Sequence, residues 1–129
     1  APGEPAWLRQ LWFAGNHADV GGGYPESESR LSDISLEWMI HEATAIPNGL
    51  KVDTTFLRIS PDSSGMQHDE CRSSVFKYAK KISREINPEA PLHPAVLARY
   101  DLPAVQQFDE DLLYRPANLR QHKIVGPKY

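Results

Sequence analysis

A single cysteine, Cys71, excludes an internal disulfide and leaves the redox compartment open, because one thiol fits a reducing cytosol as well as an oxidising exterior. No apolar run approaches the roughly 18 residues that a membrane-spanning helix needs. The opening "APGEPAW" has none of the charged-then-apolar order of a secretion signal. The chain therefore reads as soluble. Basic residues are not gathered into a stripe that would neutralise a phosphate backbone, and the net charge is -3, so nucleic acid is not an expected partner. The sequence also has no G-x-S-x-G, no internal repeat and no low-complexity tract.

What is present fits one compact domain: 129 residues, 40% of them hydrophobic, are enough to bury a core. Position 1 is Ala1 rather than methionine, and "WLRQLWFA" is already a buried-strand pattern. A lone strand cannot satisfy its own backbone donors and acceptors. The expectation is that a preceding segment of the same polypeptide supplies its neighbours.

Trp7, Leu8, Leu11, Trp12 and Phe13, bounded by Pro5 and Gly15, predict a strand over residues 7–14. Residues 16–30 are polar and glycine-rich, hence loop, until Ser32 or Asp33 offers an oxygen to cap a helix over 33–46. Leu36, Met39, Ile40 and Ala43 place an apolar face on that helix, opposite Glu37, His41 and Glu42. "PNG" at 47–49 ends it. "LKVDTTFLRI" at 50–59 suits a strand or a short helix equally. Val75, Tyr78, Ala79, Ile82 and Ile86 repeat with helical spacing, predicting a helix over 72–86. Arg72, Lys77, Lys80, Lys81 and Arg84 fall mostly on its other face, read as solvated rather than lipid-binding. Beyond residue 87, prolines at 88, 91, 94, 103, 116 and 127 break the chain into short pieces, which suits a tail laid over another surface better than an independent core.

The chemistry concentrates in "WFAGNHADVGGGYPE". His17 follows a predicted strand and precedes a helix, where open α/β sheets place reacting groups. An imidazole, with an unperturbed pKa of about 6.5, takes and returns a proton near neutral pH. Gly21, Gly22 and Gly23 let backbone turn sharply or approach a substrate oxygen. Asp19 has three open roles: accepting a hydrogen bond from the imidazole, binding an ion, or fixing the loop through its own backbone, of which the last is favoured.

The stretch "LRQLWFAGNHADVGGGYPESESRLSDISLEWMIHEA" resembles the histidine-bearing segment of the α/β-hydrolase-like family of type VI secretion phospholipase effectors, on "WF-G-H-DVGGGY" followed by "LSDISLEWM". "LHPAVLARY" at 92–100 and "YRPANL" at 114–119 are similar to later parts of that family, in the same order. Asn16 and Ala18 depart from its usual residues beside the histidine. The resemblance implies an α/β fold, of which residues 1–129 would be one partial, C-terminal domain. Residues 7–46 would form a late strand of a mostly parallel sheet, the His loop and a helix, and 47–129 a helical and irregular region with a proline-rich tail.

The resemblance further implies that His17 is the general base of a serine triad, with Asp19 and Gly21 to Gly23 supporting its loop. Such triads run Ser, then Asp or Glu, then His. Ahead of His17 the chain offers only Glu4, and Ser63 and Ser64 in "DSSGM" lack a strand-turn-helix context. The chain alone is therefore expected to be inactive. The implied partners are the preceding part of the polypeptide, a phospholipid or other ester substrate, and a membrane surface. The implied setting is a secreted bacterial effector acting at a target-cell membrane. The rival is a non-catalytic module that binds a partner protein; a G-x-S-x-G encoded ahead of Ala1 favours the enzyme, a stop codon the module.

No cofactor is expected, and no metal. H-x-D at 17–19 is at most half a zinc site, and the other candidate ligands are scattered. His68, Asp69 and Glu70 read as helix caps rather than ligands. His41, His93 and His122 read as solvent-exposed, and Cys71 as a half-buried structural thiol.

Overall fold

Among the described residues, Trp12 is the first whose backbone is bonded to a distant segment. In the computed structural model, which describes residues 7–73, 75–78, 80 and 82–129, its N–H donates to the Pro91 carbonyl and its carbonyl accepts from the His93 N–H, both at 2.9 Å. The two bonds make a one-residue parallel bridge to Leu92. The strand expected over 7–14 shrinks to that bridge, because Pro91 lacks the N–H that the next rung on one side needs and a helix begins at Pro94 on the other. Glu4, Pro5, Ala79 and Lys81 lie outside the described residues.

Residues 16–30 are not simply loop. They hold α1 (His17–Gly21) and a 3-10 turn at Glu26–Glu28. α2 then runs Arg30–Ala45, starting ahead of the expected residue 33. Neither Ser32 nor Asp33 caps it. The Ser32 hydroxyl donates to the Ser29 carbonyl at 2.9 Å, and Asp33 sits in the first turn, its carboxylate accepting the Ser60 N–H at 2.8 Å. That carboxylate still favours the positive end of the helix.

α1 packs on the N-terminal half of α2, so Leu31, Ile34 and Ser35 are buried. The face drawn from Leu36 and Met39 is instead exposed, because no described segment lies over it. α2 stops near "PNG" as expected, but Asn48, at φ 56°, takes the left-handed conformation rather than Gly49. Gly49 is there for space: a Cβ would stand 2.6 Å from the Ala43 carbonyl oxygen.

Residues 50–59 form neither strand nor helix. Among the described residues, the helix expected over 72–86 reduces to α3 (Glu70–Ser73) and a 3-10 turn at Val75–Tyr78. Short helices draw most of their stability from covering an apolar face. Val75, Tyr78 and Ile82 find no such cover and stand exposed.

The C-terminal third, expected as a tail, carries the main core. α4 (Pro94–Asp101) begins with proline at its first turn, where a missing N–H costs nothing. β1 (Val105–Gln107) and β2 (Glu110–Leu112) then pair antiparallel, Val105 opposite Leu112 and Gln107 opposite Glu110. Val96, Tyr100, Val105, Tyr114, Leu119 and Val125 pack together, flanked by Ala14, Leu92 and Leu97. The prolines bend the chain around this cluster instead of preventing it. Four α-helices and a two-stranded antiparallel sheet, among the described residues, make the chain a small mixed α/β structure rather than a parallel sheet.

Candidate functional site

Asn16 decides where His17 points. Its backbone is extended, and its side-chain oxygen accepts from the N–H groups of Ala18 at 2.9 Å and Asp19 at 2.8 Å. The Asp19 carboxylate reaches back to the Asn16 N–H at 3.0 Å, completing a capping box. A five-residue helix has too few internal bonds to persist alone. The box, together with the Ser35 hydroxyl donating to the Val20 carbonyl, holds it.

The glycines serve the ends of that turn. Gly15 enters it at φ +113°, and a Cβ there would stand 2.4 Å from the Cβ of Asp19. Gly21 is the last helical residue, whereas Gly22 at φ 85° and Gly23 at φ 134° release the chain from it. Gly15 is thus the sterically obligatory glycine, and sequence reasoning overlooked it.

His17 is the first residue of α1. Its side chain is 76% exposed, and its Nε2 lies 3.6 Å from Glu70 Oε2. The ring borders a cleft of about 570 Å³ lined by Leu11, Trp12, Phe13, Val20 and Leu92, and a second of about 760 Å³ shared with His68, Glu70 and Phe76.

Asp19 does fix the loop through backbone, and it also accepts from an imidazole, though not that of His17. His68 Nδ1 lies 2.7 Å from Asp19 Oδ1, and its backbone N–H donates to Asp19 Oδ2 at 3.0 Å. The other ring nitrogen faces Glu28 Oε2 at 3.1 Å. The Asp19 side chain is only 1% exposed. The ring stacks on Tyr24 with centroids 3.5 Å apart. An imidazole with a carboxylate at each nitrogen donates to both only as the imidazolium. Burial pulls the His68 pKa down, but the hydrogen bonds and charges of Asp19 and Glu28 outweigh it and leave the pKa raised.

Tyr24 ties the two histidines together. Its hydroxyl accepts from Asn16 Nδ2 at 2.8 Å and donates to Glu70 Oε1 at 3.0 Å. Burial, opposed by the Asn16 bond and reinforced by Glu70, raises its pKa. The segment bearing His68 and Glu70 is anchored from two sides. Gln67 bonds the hairpin turn, donating to the Gln106 carbonyl at 2.9 Å and accepting from the Phe108 N–H at 2.7 Å. Arg99, fully buried in α4, donates through Nη1 to the Ser63 and Gly65 carbonyls at 2.6 and 2.8 Å.

Asp69 accepts from the Cys71 N–H at 3.0 Å, the capping role expected of it, and Cys71 is a partly buried free thiol. His41 is exposed on α2. His122 is buried and His93 half-buried rather than exposed, and each ring supplies a bond the backbone needs. His93 Nδ1 accepts from the Ala95 N–H at 3.1 Å while the ring stacks on Phe13, and burial lowers its pKa despite Glu37 nearby. His122 Nε2 bonds the Ala90 carbonyl at 2.9 Å. Among the described residues no three His, Cys, Asp or Glu side chains converge as a metal would require, and no helix is long and apolar enough to cross a membrane.

Residues 3–42 match the family model described as the T6SS phospholipase effector Tle1-like catalytic domain. That stretch contains His17, Asp19, the glycines and most of α2, and it is the family that "WF-G-H-DVGGGY" and "LSDISLEWM" resemble. A stretch of 39 residues, 28% of this chain, is 46% identical to an uncharacterized protein of Saccharomyces cerevisiae, and covers 6% of that protein's length. No solved structure gives a significant match.

Proposed function

We propose that this chain is the C-terminal part of the α/β-hydrolase-like domain of a serine-dependent phospholipase, delivered as a type VI secretion effector, and that His17 is its general base. The nucleophilic serine and the triad acid reside elsewhere in the polypeptide. The serine oxygen attacks the acyl carbonyl, His17 takes its proton, and the imidazolium returns that proton to the departing alcohol. Asn16 and Asp19 keep the first turn of α1 rigid so that the ring meets the hydroxyl in one orientation. The cleft lined by Leu11, Trp12, Phe13 and Leu92 offers an apolar wall to an acyl chain.

The observation that carries this proposal is the placement of His17 within the family-matched stretch, at the head of a capped turn with its ring open to two clefts. By contrast, His68, His93 and His122 commit ring nitrogens to internal bonds. Positioned proton transfer contributes ~10²–10⁴-fold to rate. In the complete polypeptide encoded by the reading frame, His17→Ala is expected to cut fatty-acid release from phospholipid vesicles by at least ~10²-fold and to leave the melting temperature unchanged. The 129-residue chain alone is expected to release none. Undiminished release by the variant overturns the assignment, as does a reading frame with no nucleophilic serine ahead of Ala1.

A further inference from the structure

Between Cys71 and Glu85 the sequence has no acidic residue but carries Arg72, Lys77, Lys80, Lys81 and Arg84, in a chain whose net charge is -3. A solvated basic face has its apolar residues turned inward. Here they are turned out: Val75, Tyr78 and Ile82 are 81%, 84% and 81% exposed, beside the exposed cations Lys77, Lys80 and Arg84. Lys77 Nζ lies 4.9 Å from the Tyr78 ring centroid, and the Arg84 guanidinium 5.9 Å from that of Trp12. Arg72 is set apart, held by Asp109 at 3.3 Å and stacked over Phe108. The surface runs into the site, since Lys80 and Ile82 line the same cleft as His17 and Glu70.

We propose that Val75, Lys77, Tyr78, Lys80, Ile82 and Arg84 dock onto an anionic phospholipid bilayer. Val75, Tyr78 and Ile82 enter the boundary between headgroups and acyl chains, while Lys77, Lys80 and Arg84 meet phosphates. A nucleic acid would answer the cations but not the aliphatic Val75 and Ile82. A protein partner read along a helix needs a continuous apolar face, which the 3-10 turn at Val75–Tyr78 is too short to present. A fluid anionic interface answers cations and apolar groups together. The inference rests on the phospholipase reading only in placing this surface beside the catalytic site; binding is measured without turnover, so the two fail separately.

The test uses the complete polypeptide carrying His17→Ala throughout, so that lipid is not consumed, floated with vesicles of phosphatidylcholine alone or mixed with phosphatidylglycerol. Each basic side chain at an anionic surface is expected to contribute about fivefold in partitioning, so Lys77→Gln, Lys80→Gln and Arg84→Gln together should weaken binding to the anionic vesicles roughly a hundredfold. Val75→Ser, Tyr78→Ser and Ile82→Ser together should weaken it as well. With the docking surface unaltered, raising salt should release the protein from anionic vesicles, a readout that needs no further variant. Equal partitioning onto both vesicle types, insensitivity to salt, or full binding by either folded triple variant overturns the proposal.

Discussion

Replacing His68 with leucine removes the imidazole from between Asp19 and Glu28 while leaving an apolar side chain beside Tyr24. The bond to Asp19 is short, charge-assisted and buried, and such bonds contribute about 1.5–3 kcal/mol. Glu28, partly exposed, adds no more than ~1 kcal/mol. Asp19 is only half orphaned by the change: the Asn16 and residue-68 backbone N–H groups still bond Oδ2, while Oδ1 loses its ring partner. The expected loss is therefore about 2–3 kcal/mol near pH 6, short of the cost of stranding a buried charge. Its pH dependence is the sharper test. The folded-state pKa of His68 is raised, so the stabilisation is complete below the unfolded value of about 6.5 and fades as pH rises through the folded value. Urea denaturation of both proteins across this range isolates His68, since other titrating groups, His93 among them, are common to the two. The stability gap should be widest in mild acid and narrow toward alkaline pH. A gap that stays constant, or widens as pH rises, refutes the imidazolium clamp.

Gly15→Ala meets both a backbone at φ +113° and the Cβ of Asp19, so a loss of more than ~2 kcal/mol is expected in chemical denaturation; a change below ~0.5 kcal/mol would show that α1 is entered by another path. Arg99→Lys keeps the charge but ends short of the Nη1 position that bonds both the Ser63 and Gly65 carbonyls and loses the planar face over Tyr114, and should cost about 2–3 kcal/mol while speeding amide exchange at 65–68, which unchanged exchange would contradict.

Where the sequence was legible, one local rule was at work. α2 has helical spacing over its whole length, and "PNG" stops it. The loop around His17 carries a cap residue and glycines in the right neighbourhood. What stayed hidden depends on contacts between distant residues. His68 reads in sequence as part of a cap, and nothing nearby announces that Asp19, Glu28 and Tyr24 will enclose its ring. One signal was available: a histidine directly ahead of the Asp-capped turn, with unpaired acidic and aromatic residues following the glycines. Arg99 was equally silent, a helical arginine whose burial follows only from the docking of residues 63–65. The failed helix over 72–86 shows the converse, since its periodicity is genuine but no described surface covers it. The proline-rich end misled because proline forbids only ladder and helix-interior positions. Here it sits at a helix start and in bends, and the aromatic and aliphatic residues between are free to cluster.

The glycines following the most reactive side chain suggest a loose loop, yet the geometry opposes that. His17 sits on the one part of the segment that is tightly held. Asn16 and Asp19 satisfy the free N–H groups of α1 on one side, and the His68 ring locks Asp19 on the other. Backbone that favours glycine begins only past the helical turn, at Gly22 and Gly23. A general base gains from that division, because proton transfer depends on a fixed donor–acceptor geometry while product must still leave. A buried carboxylate bound directly to His17 would also orient it. Asp19, however, spends both oxygens on the cap and on His68 and none on the exposed His17 ring. The two histidines are thus placed differently: His68, enclosed between carboxylates, holds the turn, and His17 keeps the open ring that the proposed general base requires.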